Sequence, residues 1–181
     1  MSFPFHKIPP WDPKTRLVNV IIDTPRGSRN KFKFDEQSGC FKLSRILPAG
    51  HVFPYDFGSI PGTRGEDGDA LDVLMVMDEP TFPGCLITAR LIGVIVASQT
   101  EKGHTISNDR LVAVPQTPAN KPTIQELSEL GTAWIEQIEH FFTSYNAAQN
   151  RQFAPSRRLG AAQAERILGR AIAPDALKKG Q

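Results

Sequence analysis

Short apolar runs that alternate with polar positions fill the first two-thirds of the chain. Their period of two and their β-branched side chains are typical of β-strands. These strands are predicted at residues 16–22, 30–34, 40–47, 73–77, 86–97 and 110–114. Because no helical pattern interrupts them, about six short strands in succession favour a closed antiparallel barrel of the OB-like kind.

The apolar period lengthens to three or four residues towards the C-terminus, which indicates helices. One apolar stripe extends from Ile124 to Tyr145, and Thr123 with Glu126 fits a capping box at its start. A second stripe covers residues 160–172, and Pro174 ends it. The expected fold class is therefore α+β, mainly β: an OB-like closed antiparallel barrel with two C-terminal helices.

The chain of 181 residues is most simply a single domain. Four prolines make residues 1–14 an irregular lead-in, and residues 174–181 form a polar tail. Residues 48–65 contain three prolines and four glycines, which predicts a long irregular loop. Long loops in compact domains usually serve a function.

The composition excludes several classes of protein. Hydrophobic residues at 40% and charged residues at 22% are ordinary for a soluble protein, and a net charge of +2 gives no reason to expect nucleic acid or an acidic membrane as partner. Cys40 and Cys85 have no paired spacing that would suggest a disulfide framework or a zinc site. The N-terminus does not resemble a secretory signal, and the most apolar stretch, interrupted by Arg90, is too short to span a bilayer. We expect a cytoplasmic protein.

Candidate chemistry is concentrated in residues 66–72, Glu-Asp-Gly-Asp-Ala-Leu-Asp, directly before the apolar run 73–77. Four carboxylates this close repel one another unless a cation or a proton lies among them. Carboxylates are ligands that Mg²⁺ and Ca²⁺ prefer, and in an extended segment Asp67 and Asp69 point to the same side. A divalent-metal site is predicted, although a solvated acidic turn fits the local composition equally well. An EF-hand calcium loop does not fit, because Asp72 would stand where that loop requires Gly.

The segment Asp67-Gly68-Asp69-Ala70-Leu71-Asp72-Val73 resembles the acidic signature of the family I soluble inorganic pyrophosphatases, in which D-x-D precedes two residues and a third Asp. Other segments resemble that family in the same order along residues 15–170: Phe53-Pro54-Tyr55-Asp56-Phe57-Gly58, Pro83-Gly84, Gly93-Val94, residues 111–115, His140-Phe141-Phe142 and Tyr145. The resemblance implies hydrolysis of pyrophosphate to two phosphates by a water that Mg²⁺ activates. It also implies a homo-oligomer, and bacterial members of the family are commonly hexamers.

The resemblance implies a role for each matching residue. The metal ligands would be Asp67, Asp72, Asp23 and Asp69, and Asp69 would also be the catalytic residue that helps to generate the nucleophilic water. The substrate phosphates would be bound by Lys31, Arg45, Arg110 and Tyr145. Each residue taken alone also fits a structural role on a turn, a strand surface or a helix core.

Several positions depart from the family's pattern: Lys33 replaces a Glu, Phe53 and Phe57 replace Tyr residues, Gln99 and Asn108 stand near the positions of two Asp residues, Arg110 replaces a Lys, and Asn146 replaces another Lys. Fewer carboxylates and an added Lys predict a site that holds fewer divalent ions. Two alternatives therefore stay open: a relative with weak or redirected phosphoanhydride activity, and a phosphate-binding protein without catalysis. A third, an OB-type nucleic-acid binder, depends on Lys31-Phe32-Lys33-Phe34 alone.

Overall fold

The computed structural model describes residues 8–12, 14–117 and 123–172. Within these ranges the chain forms nine strands and two α-helices. In chain order they are β1 (Val18–Thr24), β2 (Asn30–Asp35), β3 (Cys40–Ile46), β4 (Asp56–Ile60), β5 (Leu71–Met75), β6 (Leu86–Glu101), β7 (His104–Ser107), β8 (Arg110–Pro115), α1 (Thr132–Ala147), β9 (Gln152–Gly160) and α2 (Ala161–Ala171). The predicted tail 174–181, and residues 1–7 and 13 of the predicted lead-in, lie outside the described residues.

Five strands close into the predicted barrel, because β1, β4, β5, β8 and β6 are neighbours in that order and β6 pairs with β1 again. One pair of strands differs from the antiparallel prediction. β5 and β8 are parallel, and Val73 lies opposite Leu111. Parallel neighbours require a long connection, and β6 together with β7 forms that connection.

Three strands lie where the sequence pattern predicts none. β4 falls inside the predicted loop 48–65 and pairs with β1 and β5. β7 pairs with the end of β6 across a turn at Lys102-Gly103. β9 follows α1 and adds to the outer part of β6, and its Pro155 lies opposite Ala97 where the register shifts. A bulge is one of the few places where a strand tolerates proline.

The apolar stripe from Ile124 to Tyr145 is not one helix. Residues Leu127–Leu130 form a short 3-10 helix, and Gly131, with φ of 81°, separates it from α1. The capping box also lies later than predicted, because the backbone N–H of Glu126 donates to Glu129 Oε1 at 2.8 Å. By contrast, the prediction of a helix over 160–172 agrees closely with α2.

Alternating residues of the barrel strands form two cores on opposite faces of the sheet. One core combines Val20, Val73, Leu111 and their neighbours with Leu168 of α2. The other combines the intervening residues with α1 and is rich in aromatic rings: Phe53, Phe57, Phe141, Phe142, Tyr145 and Phe153. This aromatic core fixes the last turns of α1 against β4. Within the described ranges, neither helix combines the length and the apolar character that a bilayer span requires.

Candidate active site

The acidic segment forms a tight turn at the entrance to β5 rather than an extended strand. The Gly65 N–H donates to the Asp69 carbonyl oxygen at 2.7 Å, and the Asp69 N–H donates to Asp67 Oδ1 at 3.0 Å. Gly68 adopts a φ of 84°, a left-handed conformation that glycine tolerates best. The turn leaves the Asp69 side chain 56% exposed, whereas Asp72, already in β5, is 25% exposed.

Asp23 of β1 and Asp72 of β5 face the same region from the two strands that flank β4. Ser59 of β4 lies opposite Asp72 in the sheet, and its side chain lies near enough to Asp23 to lower the pKa of that carboxyl. Burial, and after it the negative charge of Asp72, raises the pKa of Asp23 to about 7. Burial also raises the pKa of Asp72. The positive charge of Arg110 lowers this pKa, whereas the negative charge of Asp67 raises it. Carboxylates that raise one another's pKa favour a bound cation.

Two lysines of β2 project towards these carboxylates. Lys33 Nζ lies 2.6 Å from Asp69 Oδ2, and both side chains are about half exposed. Lys31 lowers the pKa of Asp23, and its Nζ lies 5.3 Å from the ring centroid of Tyr145. The hydroxyl of Thr24, at the end of β1, accepts the Phe32 N–H at 3.0 Å and so fixes β2 beside the site.

Arg45 and Tyr145 complete the basic side of the site. Arg45 lies opposite Lys31 in the β2–β3 hairpin, and its Nη1 is buried without a hydrogen-bond partner among the described residues. Tyr145 is 7% exposed. Burial opposes ionisation of its hydroxyl, but Lys31, Gln149 and Arg45 together hold its pKa below the ordinary value. The structure therefore brings three phosphate-binding candidates within range of one another.

Arg110, the first residue of β8, is only 4% exposed. Its Nη1 lies 2.7 Å from Asp72 Oδ2 and also donates to Asn108 Oδ1. Asn108 Nδ2 in turn donates to Gln99 Oε1 at 2.8 Å. The two amides that stand near the family's Asp positions are thus hydrogen-bonded to each other.

The remaining departures from the family's pattern are turned into the protein interior. Phe53 and Phe57 are 1% and 3% exposed and belong to the aromatic core. Asn146 is 1% exposed, and its Nδ2 donates to the Phe142 carbonyl oxygen at 2.8 Å within α1. Phe57 nevertheless borders the phosphate-binding candidates, since its ring centroid lies 5.4 Å from Lys31 Nζ.

The donor types suit a hard divalent cation, although no group of three or more Asp, Glu, His or Cys residues within the described ranges is arranged to hold a metal ion by itself. Mg²⁺ usually keeps several waters and takes only one or two carboxylates together with substrate phosphates. Asp67, Asp69, Asp72 and Asp23 fit an ion held in that way. Lys33 and Arg110 each neutralise one of these carboxylates.

All of the site residues predicted from the sequence meet in this one region: Asp23, Asp67, Asp69, Asp72, Lys31, Arg45, Arg110 and Tyr145. The sequence interpretation missed the rings of Phe142 and Phe153 beside Arg110 and the pairing of Lys33 with Asp69. It also gave no role to Asp56. That buried carboxylate accepts the N–H groups of Arg26 and Thr81 at 2.7 and 2.8 Å, and so ties two loops together.

The nucleic-acid alternative loses its basis here, because Lys31 and Lys33 contact acidic and aromatic side chains of this chain. The spacing of the two lysines, which places both on one side of a strand, is the signal that could have indicated a shared site.

Comparison with known proteins agrees with this geometry. The family model of inorganic pyrophosphatase matches residues 20–174. The inorganic pyrophosphatase of Synechocystis sp. strain PCC 6803 is 38% identical over 142 residues, which cover 78% of this chain and 82% of that protein. The structure superposes on inorganic pyrophosphatase from Thermus thermophilus with a TM-score of 0.84 at 28% identity, covering 97% of this chain and 99% of that one.

A crystal structure of an inorganic pyrophosphatase from Neisseria gonorrhoeae gives a TM-score of 0.83 at 33% identity, covering 93% of this chain and 96% of that one. The match of the family model, the similarity over most of the sequence and the shared fold agree with one another. The chain therefore belongs to the inorganic pyrophosphatase family, whose members are hydrolases that act on diphosphate.

Proposed function

We propose that this chain is a cytoplasmic, single-domain enzyme that hydrolyses inorganic pyrophosphate to two phosphates with Mg²⁺. The observation that carries the proposal is the convergence of four carboxylates with Lys31, Arg45 and Tyr145. Pyrophosphate is a polyanion, so its hydrolysis requires neutralisation of charge, a nucleophilic water and a stabilised leaving phosphate. Each of these demands has candidate residues in the site.

The substrate would bind against Lys31, Arg45 and Tyr145. A buried polar N–H without a partner costs about 1–3 kcal/mol. A phosphate oxygen would satisfy the buried Nη1 of Arg45 with a charge-assisted hydrogen bond. The ammonium of Lys31 and the hydroxyl of Tyr145, which lie close enough for Lys31 to lower the pKa of Tyr145, would contact further oxygens of the same phosphate group. Arg110 would act on the site indirectly, through its ion pair with Asp72.

Asp69 is the proposed catalytic residue, and Asp67, Asp72 and Asp23 would hold the metal together with it. A bound Mg²⁺ neutralises charge on the substrate and lowers the pKa of a coordinated water. Asp69 would accept the proton of the attacking water as its oxygen bonds to phosphorus. The bond from that phosphorus to the bridging oxygen breaks, and the second phosphate leaves with the bridging oxygen. Lys33 must release Asp69 before this carboxylate can act.

The test is phosphate release from pyrophosphate by purified protein, with Mg²⁺ and with a chelator. Asp69→Asn is expected to lower the rate about a hundred- to ten-thousand-fold, the usual cost of losing a positioned base. Its melting temperature should change little, because the side chain is half exposed. Asp78→Asn, an equal change at an exposed residue after β5, is the control and should keep wild-type activity.

A second candidate is a phosphate-binding relative with little or no catalysis. The pairing of Lys33 with Asp69 and the amide pair of Asn108 with Gln99 favour it, because both reduce the negative charge available to metal ions. Folded protein that binds pyrophosphate in calorimetry, yet releases no phosphate above buffer with Mg²⁺, would decide for this candidate and against hydrolysis.

We also infer that the chain assembles as a homo-oligomer, with the hexamer that is common among bacterial members of the family as the expected form. Large apolar side chains at the surface support this inference, since Leu43, Ile46 and Phe82 are 54%, 58% and 65% exposed. Light scattering should give a multiple of the chain mass of 20.0 kDa. A monomer at working concentration would count against the inference.

A further inference from the structure

The guanidinium of Arg110 is a buried cation with polar contacts on one side. Nη1 lies 2.7 Å from Asp72 Oδ2, donates to Asn108 Oδ1, and lies 3.0 Å from the carbonyl oxygen of Asp109. Asn108 is held by Gln99, so the guanidinium is bounded by one carboxylate and neutral oxygen acceptors. A planar guanidinium keeps its charge at any ordinary pH and suits such fixed hydrogen-bonded positions.

Three aromatic rings lie against the same guanidinium. Its central carbon is 4.8 Å from the ring centroid of Phe142, 5.3 Å from that of Phe153 and 6.0 Å from that of Phe57. Distances within about 6 Å allow attraction between a cation and the face of a ring. The rings come from α1, β9 and β4, three elements packed together in the aromatic core. Arg110 cannot swing away from Asp72 without disturbing that core.

Lys33 provides the contrast within the same site. Its pair with Asp69 is 54% and 56% exposed, and such exposed pairs are weak and readily exchanged. An arriving divalent ion can therefore displace Lys33, whereas the caged guanidinium stays beside Asp72. Lys33 is thus an exchangeable cation of the site, whereas Arg110 is a permanent one.

We propose that Arg110 is a positioning residue that serves as a permanent internal cation and takes the place of one divalent ion beside Asp72. The proposal rests on the assignment of Asp72 as a metal ligand in the proposed function. Arg110 Nη1 lies 2.7 Å from Asp72 Oδ2, and the other carboxylate oxygen would receive a single ion. The neutral Asn108, which is held by Gln99, accepts from the guanidinium and adds no anionic ligand for another metal. The Nε of Arg110 is buried without a hydrogen-bond partner among the described residues.

The test counts Mn²⁺ bound to the full-length protein by electron paramagnetic resonance, without pyrophosphate. Arg110→Gln removes the charge and keeps a polar side chain in the cage. We expect R110Q to bind one Mn²⁺ per chain more than the wild type, through a gain of about tenfold or more in affinity beside Asp72. The Coulomb energy of a unit charge at about 4 Å exceeds a tenfold effect even after substantial screening. An equal number of ions with equal affinities in both proteins would overturn the proposal.

A double-mutant cycle tests whether Arg110 acts through Asp72. In the Asp72→Asn background, R110Q should give no gain in Mn²⁺ binding, because the carboxylate that the guanidinium neutralises is absent. A gain that persists there would refute the positioning role. Arg64→Gln is the control for a general charge effect, since Arg64 is exposed in the same cavity as Asp67 and Asp72. It should change the affinity by less than about twofold because exposed charges are screened.

Removal of a buried cation can prevent folding, so circular dichroism accompanies each titration. If R110Q does not fold, the Mn²⁺ affinity of the variant Arg110→Lys tests the proposal instead. An ammonium lacks the planar fork and holds Asp72 less firmly, so Mn²⁺ affinity should rise about two- to threefold. An unchanged or lower affinity of R110K would overturn the proposal. Absence of pyrophosphate hydrolysis in the wild type would contradict the proposed function alone, because the ion count needs no substrate.

Discussion

The charge at position 33 decides how readily Asp69 can receive a metal ion or a proton. Lys33 Nζ contacts Asp69 Oδ2 at 2.6 Å, but both groups are about half exposed. Ion pairs of this kind contribute only about 0–1 kcal/mol. Lys33 therefore competes with a metal ion for Asp69. A bound ion can displace Lys33 at a small free-energy cost.

Lys33→Met should lower the Mg²⁺ concentration needed for half-maximal activity or thermal stabilisation about two- to fivefold, which corresponds to the free energy of an exposed pair. Lys42→Met is the matched control. Lys42 lies opposite Lys33 in the hairpin, is 58% exposed and pairs with Asp35 outside the site. It should leave the Mg²⁺ requirement unchanged.

The competing account of Lys33 is a direct contact with substrate phosphate, which would compensate for the lysine that Asn146 replaces. On that account Lys33→Met would leave the Mg²⁺ requirement unchanged and raise the pyrophosphate concentration needed for half-maximal rate. Separate titrations of metal and substrate distinguish the two outcomes.

The acidic residues of the site could be found from the sequence because Asp67, Asp69 and Asp72 are neighbours in the chain. Their spacing in the chain keeps these three residues close together without help from tertiary packing. The cage of Arg110 could not be found in this way. Phe142 and Phe153 reach the guanidinium from a helix and a strand that only tertiary packing brings together.

At the scale of the element, the β2–β3 hairpin carries the basic side of the site. Besides Thr24, Arg29 fixes this hairpin, since its carbonyl oxygen accepts the Leu47 N–H at 2.9 Å and its Nε donates to the Leu47 carbonyl oxygen at 2.7 Å. At the other end, the turn is held by Asp35. Its Oδ2 accepts the N–H and the hydroxyl of Ser38 at 2.8 and 2.6 Å and lies 2.8 Å from Lys42 Nζ.

The hairpin turn should lose stability in acid. Hydrogen bonds from Lys42 and then from Ser38 lower the pKa of Asp35 from 3.8 to about 2. A lowered carboxyl pKa stabilises the fold above the unfolded value and ceases to do so as pH falls through the folded one. Asp35→Asn should therefore be less stable than the wild type at pH 5, and the difference in urea midpoint should shrink as pH falls from about 4 to about 2.

Glu36→Gln, at the exposed neighbouring residue, provides the baseline for general effects of acid. Its difference from the wild type should stay nearly constant over the same range. A difference between Asp35→Asn and the wild type that does not change with pH would show that the turn is held without the ionised carboxylate.

Close contact between β1 and β4 depends on Gly58. A Cβ added there would lie 2.3 Å from the carbonyl oxygen of Ile21, and backbone cannot yield as a flexible side chain can. Gly58→Ala should lower the free energy of unfolding by about 1–3 kcal/mol, as overpacking usually does. It should also reduce activity, because the adjacent Ser59 lies opposite Asp72 and near Asp23.

Gly169→Ala is the matched control, since a Cβ at this position of α2 meets no atom of the described residues within 4 Å. Alanine is the better helix former, so this variant should be about as stable as the wild type or more stable by up to about 1 kcal/mol. Urea unfolding of both variants measures the difference. Equal effects of the two substitutions would contradict the importance of the β1–β4 contact.

The sequence pattern predicts strands well where polar and apolar residues alternate, as in β2, and where the run is mostly apolar, as in β6. It misses β4 because that strand lies between Pro54 and Pro61 and contains Gly58, all signals of a loop. It misses β9 because Pro155, Arg157 and Arg158 interrupt the apolar pattern. Pairing with the long β6 supplies the hydrogen bonds that make β9 a strand.

At the scale of the whole molecule, the site lies where several elements meet. Its carboxylates come from β1, β5 and the turn before β5, and its cations come from the hairpin and from β8. Like charges gathered from separate elements oppose folding until a counter-ion joins them. An ion that binds only to this assembled arrangement must therefore stabilise the entire fold.

Mg²⁺ is accordingly expected to raise the melting temperature of the whole protein. A ligand at a hundred times its dissociation constant adds about 2.7 kcal/mol to the free energy of unfolding, which for a chain of this size corresponds to about 5–10 °C. Scanning calorimetry in chelator and in Mg²⁺, with NaCl added to equalise ionic strength, measures the shift. Asp72→Asn should reduce it, because one ligand is lost while the fold is kept. If the melting temperature is the same in chelator and in saturating Mg²⁺, the carboxylates do not bind the ion in the folded protein, and the metal assignment is wrong.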